Sequence, residues 1–207
     1  MKTPRTTPSR LAKRAVYDEE TIHAILDEGL FCTVSYVSDG EPRAIPTAYG
    51  REGNRLFIHG SVGSHFIREL ENGGPVCLTV TLVDGLVLAK SGFSHSVNYR
   101  SVVVFARAEK VENGEEKVKA LARITDQLVP GRWECLRPET ESEVRKTTVL
   151  AFPLEEASAK VRTGGPNDEP EDLALPIWSG VIPVRTVRDQ PQPDATSAGL
   201  PLPAHLA

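Results

Sequence analysis

The chain has 207 residues, 40% hydrophobic and 25% charged, with a formal net charge of −4. That composition describes one ordinary globular domain with room for tails, and the charge is too mild to imply a nucleic-acid partner. No apolar run approaches the roughly 18 residues of a membrane span, and the basic N-terminus lacks the apolar stretch of a secretory signal.

Residues 1–15 hold Lys2, Arg5, Arg10, Lys13 and Arg14, no acid, and two prolines, which reads as a solvated, flexible arm. The folded unit is expected over 16–185. Asp18 is placed to cap a helix with Glu19 and Glu20 in its first turn and Gly29 at its end. The run LFCTVSYV, the turn at Asp39-Gly40 and the run RAIPTAYG then predict a hairpin. Pro46 removes one ladder N–H and marks that second strand as an edge or a bulge. A third strand, RLFIHG, enters a helix through Ser61, Gly63 and Ser64. VCLTVTLV and LVLAKSG predict another hairpin around Asp84-Gly85, and SVVVFARAEKV a long strand.

Helical spacing follows over 115–128, with a short helix over 139–146. TTVLAFPL and SAKVRTG read as strands, 164–176 as a loop, and IWSGVIPV as a last extended segment. Residues 186–207 are rich in Pro and small polar residues and predict a disordered tail. Hairpin signals outnumber crossover helices, so the expected fold is mainly β: an antiparallel barrel with peripheral helices.

Cys32, Cys77 and Cys135 are sparse and form no C-x-x-C pair, which fits a reducing cytoplasm; Cys32 and Cys77 are expected in the core. The five histidines show no H-x-x-H or H-E-x-x-H spacing, so no metal site is expected, and no G-x-S-x-G elbow supports a hydrolase.

Four segments could carry chemistry, one of them Pro42–Tyr49, where carbonyl and amide groups freed near Pro46 can face a flat heterocycle. The Ser61–Ser64 turn joins a strand to a helix through small hydroxylated residues, which suits an anion, although a simple helix cap explains it equally. Its glycine spacing matches neither a P-loop nor a dinucleotide fingerprint. The block SGFSHSVNYRS packs hydroxyls, Asn98, His95 and Arg100 between two apolar strands, denser in polar groups than a hairpin requires. Arg100 there offers a bidentate fork for phosphate. Leu175–Pro183 presents Trp178 between prolines as a docking patch or as core.

Four segments in order, PRAIPTAYG, LFIHGSVGSHFIREL, SVNYRSVVVFARAEKV, and PLEEASAKVRTGGPNDEP with LPIWSGVIP, resemble the pyridoxamine-phosphate-oxidase-like FMN-binding split barrels, in the branch of flavin-nucleotide-binding proteins related to nitroimidazole-resistance (Nim) proteins. The similarity covers about residues 18–185. It implies a six-stranded antiparallel split β-barrel and a cytoplasmic homodimer with FMN at the subunit interface, acting as a flavin-dependent oxidoreductase on a small molecule. The alternative is a non-catalytic module that binds flavin, haem or deazaflavin; neither reading has a membrane or nucleic-acid partner. By the same resemblance Arg43, Ile45, Pro46 and Thr47 lie along the flavin ring. His59, Ser61, Ser64 and His65 approach the phosphate, Asn98, Tyr99, Arg100 and Ser101 line the pocket, and Trp178 comes from the partner. The catalytic residue is unassigned, with His95 the candidate for proton transfer near neutral pH. Many relatives carry two cations where this chain has His65-Phe66. Phosphate binding then rests on hydroxyls, amides and Arg68 or Arg100, and two charge-assisted bonds at about 1.5–3 kcal/mol each are lost.

Overall fold

The structure, a computed structural model, describes residues 2–7 and 14–206. Arg10 and Lys13 of the expected arm lie outside the described residues. Arg5 forms an ion pair with Glu156 and lies 5.1 Å from the centre of the Phe105 ring.

Helix α1, Glu19–Glu28, is capped by Asp18, whose carboxylate accepts from Thr21 N–H at 2.8 Å; Gly29 ends it. Its apolar face, Ile22, Ile25 and Leu26, enters the main core. Strands β2, Phe31–Ser38, and β3, Glu41–Ala48, form the predicted hairpin. Asp39 at φ 53° and Gly40 at φ 78° occupy the left-handed region. Two positive φ values in a two-residue turn match the right-handed twist of the strands.

Two sheets follow. A short N-terminal strand β1, Ala15–Val16, flanks β10, Ala157–Arg162, and the seven-stranded sheet runs β1-β10-β7-β6-β2-β3, where β6 is Pro75–Leu88 and β7 is Ser96–Arg107. The four-stranded sheet runs β4-β5-β9-β8, with β4 at Gly50–Glu52, β5 at Arg55–Ser61, β9 at Thr147–Pro153 and β8 at Glu109–Lys110. One residue separates β3 from β4, and one separates β7 from β8. Two bent strand paths therefore serve both sheets, and six antiparallel paths form a split barrel with helices outside its sheets. Helix α2, His65–Glu71, follows β5; α3, Gly114–Leu128, and α4, Glu141–Lys146, cover the smaller sheet.

The alternation of β2, β6 and β7 sends Cys32, Val34, Leu78, Val80, Val102 and Val104 inward to meet Leu56, Ile58, Leu150 and Phe152. A second cluster, Phe57, Val149, Ala151, Ala120 and Ile124, glues α3 to the outside of the smaller sheet.

Three expectations change. Asp84-Gly85 is no hairpin. It is a bulge within the continuous β6, whose register on β7 shifts between Val83 and Gly85. The apolar runs on either side both pair with β7, and β11, Gly180–Pro183, takes the place of β2 beside the second half. Glycine is needed there for proximity: a Cβ at Gly85 would lie 3.0 Å from Val181 Cγ1 and 3.1 Å from the Ile182 carbonyl. Second, the polar block is not a loop throughout, because β7 begins at Ser96 and NYRS is strand. Third, Cys77 is half-buried on the outer sheet face, whereas Cys32 is fully buried and its thiol is pushed up to about 12 by desolvation.

Beyond β11, residues 186–206 form no strand or α-helix. They touch the body where Arg188 Nη2 donates to the Leu128 carbonyl at 2.7 Å and where Cys135 Sγ lies 3.5 Å from His205 Nδ1.

Candidate functional site

The register of β2 on β3 sets the first half of the site. Cys32, Val34 and Tyr36 stand directly opposite Thr47, Ile45 and Arg43. Opposed residues share a face, so this row of β3 points to the barrel side. β3 is nevertheless the end of its sheet, and its row is open: Arg43 is exposed and Ile45 retains 37% of its surface. Pro46 removes a donor from this edge, as edge prolines do, and its side chain belongs to the opposite face. At the Arg43 end, Tyr36 packs on Phe66 of α2 with ring centres 5.5 Å apart. Helix α2 therefore packs at the Arg43 end of the hairpin.

Within the turn before α2 the hydroxyls already have tasks. Ser64 Oγ caps α2 by accepting from Ile67 N–H at 3.4 Å, and Ser61 Oγ accepts from Gly63 N–H at 3.2 Å. Arg68 reaches back to the Gly63 carbonyl at 3.0 Å, which places one fixed cation at the turn. His59 and His65 have no hydrogen-bond partner among the described residues. Desolvation lowers the His59 pKa and favours its neutral ring, although part of the residue reaches the surface.

The second half lies on β7. Arg100 donates through Nε and Nη2 to Asp84 at 2.9 and 2.7 Å, and through Nη1 and Nη2 to Glu28 at 2.5 and 2.8 Å. Those bonds hold both carboxyls below their usual range and raise the guanidinium further. Asn98 accepts from Arg162 and donates to the Gly164 carbonyl at 3.0 Å, while Arg162 also donates to the Gly164 and Gly165 carbonyls at 3.2 and 3.1 Å. Asn98 thus shapes the turn after β10. Ser101 Oγ donates weakly to the Lys160 carbonyl, Tyr99 is half-buried opposite Arg162, and His95 Nδ1 contacts the Ser91 carbonyl at 2.9 Å on an exposed loop.

One chain does not bring the two halves together. The turn neighbours Tyr36, whereas Arg100 lines a cavity that includes Phe31. Five residue steps along β2 separate these landmarks, on the order of 17 Å at about 3.3 Å per step. Trp178 stands apart from both, 66% exposed, with its ring against Gly180. Lys90 fixes that arm: its N–H donates to Asp168 at 2.7 Å, and its ammonium donates to the Leu175 and Ile177 carbonyls at 2.6 and 2.9 Å. Sequence reasoning missed Glu28, Asp84, Lys90 and Arg162. Asp84 carried a turn signal, Glu28 resembled a solvated helix end, and the other two acquire partners only through long-range pairing.

The cavity beside Arg100 has a volume of about 690 Å³. A more open groove of about 720 Å³ between α3 and α4 touches none of the expected site residues. Among the described residues no cluster of three or more His, Cys, Asp or Glu could hold a metal ion, and no helix is long and apolar enough to cross a membrane.

A family model described as pyridoxamine 5'-phosphate oxidase matches residues 18–161. Among solved structures, the flavocytochrome Anf3 from Azotobacter vinelandii is 40% identical with a TM-score of 0.92, covering 99% of this chain and 95% of that one. A FAD and haem binding protein from Mycobacterium smegmatis is 37% identical with a TM-score of 0.89, covering 93% and 95%. A protein from Bacteroides thetaiotaomicron named for 5-nitroimidazole antibiotic resistance is 25% identical with a TM-score of 0.60, covering 71% and 86%. No curated protein matches the sequence significantly.

Proposed function

The chain belongs to the pyridoxamine 5'-phosphate oxidase family, and from that premise we propose that it is a flavin-binding redox protein with a second, haem cofactor. The carrying observation is the open inward row of β3. Arg43, Ile45 and Thr47 stand opposite Tyr36, Val34 and Cys32, of which Val34 and Cys32 are sealed, yet Arg43 and Ile45 are exposed and Thr47 is half-buried. A flat heterocycle fits such a row. Its apolar body would lie on Ile45, with Pro46 and Thr47 at the strand backbone, and the unpaired groups of the edge would meet its polar rim. A bound flavin supplies hydride or single-electron transfer; the protein supplies binding, orientation and exclusion of water.

FAD suits the turn better than FMN. A terminal phosphate monoester concentrates nearly two charges, for which this turn offers Arg68 and the imidazole of His65 in place of two added cations. In a pyrophosphate each phosphorus carries about one charge, and hydroxyls and amides such as those of Ser61 and Ser64 suit it. Similarity to the flavocytochrome and to the FAD and haem binding protein supports the same reading. Haem iron takes a neutral imidazole. His59, beside the turn, without a hydrogen-bond partner among the described residues and held toward its neutral form by desolvation, is the ring we assign to it. His95 remains the proposed proton carrier.

The separation of the two halves supports a homodimer, in which Trp178 and the β7 residues Asn98, Tyr99, Arg100 and Ser101 of one protomer approach the β3 row of the other. Reduction of a small molecule in the cytoplasm completes the reading.

The test is the visible spectrum of the purified protein, followed by denaturation and mass spectrometry of what is released. Flavin bands, a Soret band and the mass of FAD are expected. Colourless protein that fails to quench added FAD or FMN fluorescence would sink the flavin reading, and release of FMN alone would sink the choice of FAD.

A further inference from the structure

The cavity of about 690 Å³ beside Arg100 has a composition of its own. Its floor is the Glu28–Arg100–Asp84 triad, in which two carboxylates share one guanidinium, leaving one net negative charge. Its other wall is the segment after β11, which contributes Val184, Arg185 and Arg188. Arg188 donates to a neutral carbonyl, that of Leu128. Arg185 has no hydrogen bond or ion pair among the described residues, and both acids in the wall are already engaged by Arg100. Against the triad's one surplus negative charge the cavity sets two further guanidiniums, one net positive charge in all. Between them lie exposed apolar surfaces, Phe31 at 60% and Val83 at 45%.

We propose that this cavity binds a small organic anion with a flat apolar body, its carboxylate or phosphate held by Arg185 and Arg188 and its body on Phe31 and Val83. Guanidinium forks bind both head groups bidentately, and the volume suits a ligand of drug size or smaller. Arg100 is not the receptor, because an incoming anion would have to displace two carboxylates from it. The triad instead keeps the floor rigid and repels the head group toward the arginine wall. Within one protomer this site is separate from the β3 row: Phe31 points away from the face shared by Cys32 and Thr47, since successive strand residues alternate.

The experiment is calorimetric titration of the purified, cofactor-loaded protein with benzoate, phenyl phosphate and neutral benzyl alcohol, on the wild type and on the double variant Arg185→Ala/Arg188→Ala. At least one anion is expected to bind roughly tenfold or more tightly than the alcohol, and the double variant to lose that advantage. Benzoate against phenyl phosphate decides which head group is preferred. Flavin content and melting temperature are expected to stay as in wild type. Equal binding of the alcohol, no binding of either anion at millimolar concentration, or retention of anion binding in the double variant would each overturn the proposal. Loss of flavin from the double variant would also overturn it, by making the cavity part of the flavin site. Absence of flavin from the wild type bears on the proposed function alone, because the titration reads the anion directly.

Discussion

β2 and β3 are two strands of one hairpin, and their barrel-side rows meet opposite fates. Cys32 and Val34 keep 1% and 0% of their surface, while Ile45, directly across the ladder from Val34, keeps 37%. Hydrophobicity does not separate them, since valine and isoleucine are close to equivalent. Position does: β2 is flanked by β3 and β6, whereas β3 ends the sheet. A buried row is a requirement of stability. An open row centred on an exposed isoleucine, on a proline-marked edge and facing the same way, suits an occupant from outside the chain. The two rows should therefore respond differently to the same loss of methyl groups.

Val34→Ala is expected to have the larger effect on folding. It removes two methylene equivalents at about 0.8 kcal/mol each and leaves a cavity, so a loss of about 2 kcal/mol is expected. Ile45→Ala should cost less than about 1 kcal/mol in cofactor-free protein, yet weaken flavin binding. Urea denaturation read with and without added FAD checks both. If Ile45→Ala destabilises the cofactor-free protein as much as Val34→Ala, the row is not open and the comparison breaks.

That contrast shows how far the sequence carried. Local signals placed the Asp18 cap, the Asp39-Gly40 hairpin, α3 and the edge character of the strand holding Pro46, because each rests on residues a few positions apart. The same local rules misread Asp84-Gly85, where an aspartate-glycine pair serves as a bulge that lets β11 approach. Nothing near Gly85 announces Val181, nearly a hundred residues on. The candidate site was legible as segments: the β3 row and the Ser61–Ser64 turn were named, and Phe66, just after that turn, packs on Tyr36, which stands across the ladder from Arg43. Arg100 was read as a free guanidinium because its partners, Glu28 and Asp84, lie 72 and 16 residues away. Side-chain supply could be read from the sequence; who engages whom depended on pairing between distant strands.

Asp84→Asn sharpens the comparison at the other end of the barrel, where a polar cluster replaces the sealed row. The triad is partly open to solvent, so screening limits its worth to about 1 kcal/mol. Its pH dependence has a definite sign. Both carboxyls are depressed in the folded protein by their bonds to Arg100. Their contribution is therefore fully present above the ordinary carboxylate pKa near 4 and is lost as pH falls through the lowered folded values. The stability gap between wild type and Asp84→Asn should be constant from about pH 7 to 5 and close below about pH 4. A gap that widens in acid would mean that Asp84 is not held by the triad.

The smallest effect on stability gives the most direct reading of the two rows. Ile45→Cys puts a thiol on the open row, one step diagonally from Cys32 on the sealed row. Cys32 is buried, and desolvation pushes its thiol to about 12, so almost no thiolate is available near neutral pH. In cofactor-free protein, iodoacetamide should label the introduced thiol and exposed Cys135 within minutes while Cys32 stays unmodified, as peptide mass mapping would show. Added FAD should then slow labelling at position 45 and leave Cys135 unchanged. Protection confined to position 45 places the ligand on the β3 row; equal rates with and without FAD would move the flavin elsewhere and leave the open row to a protein partner.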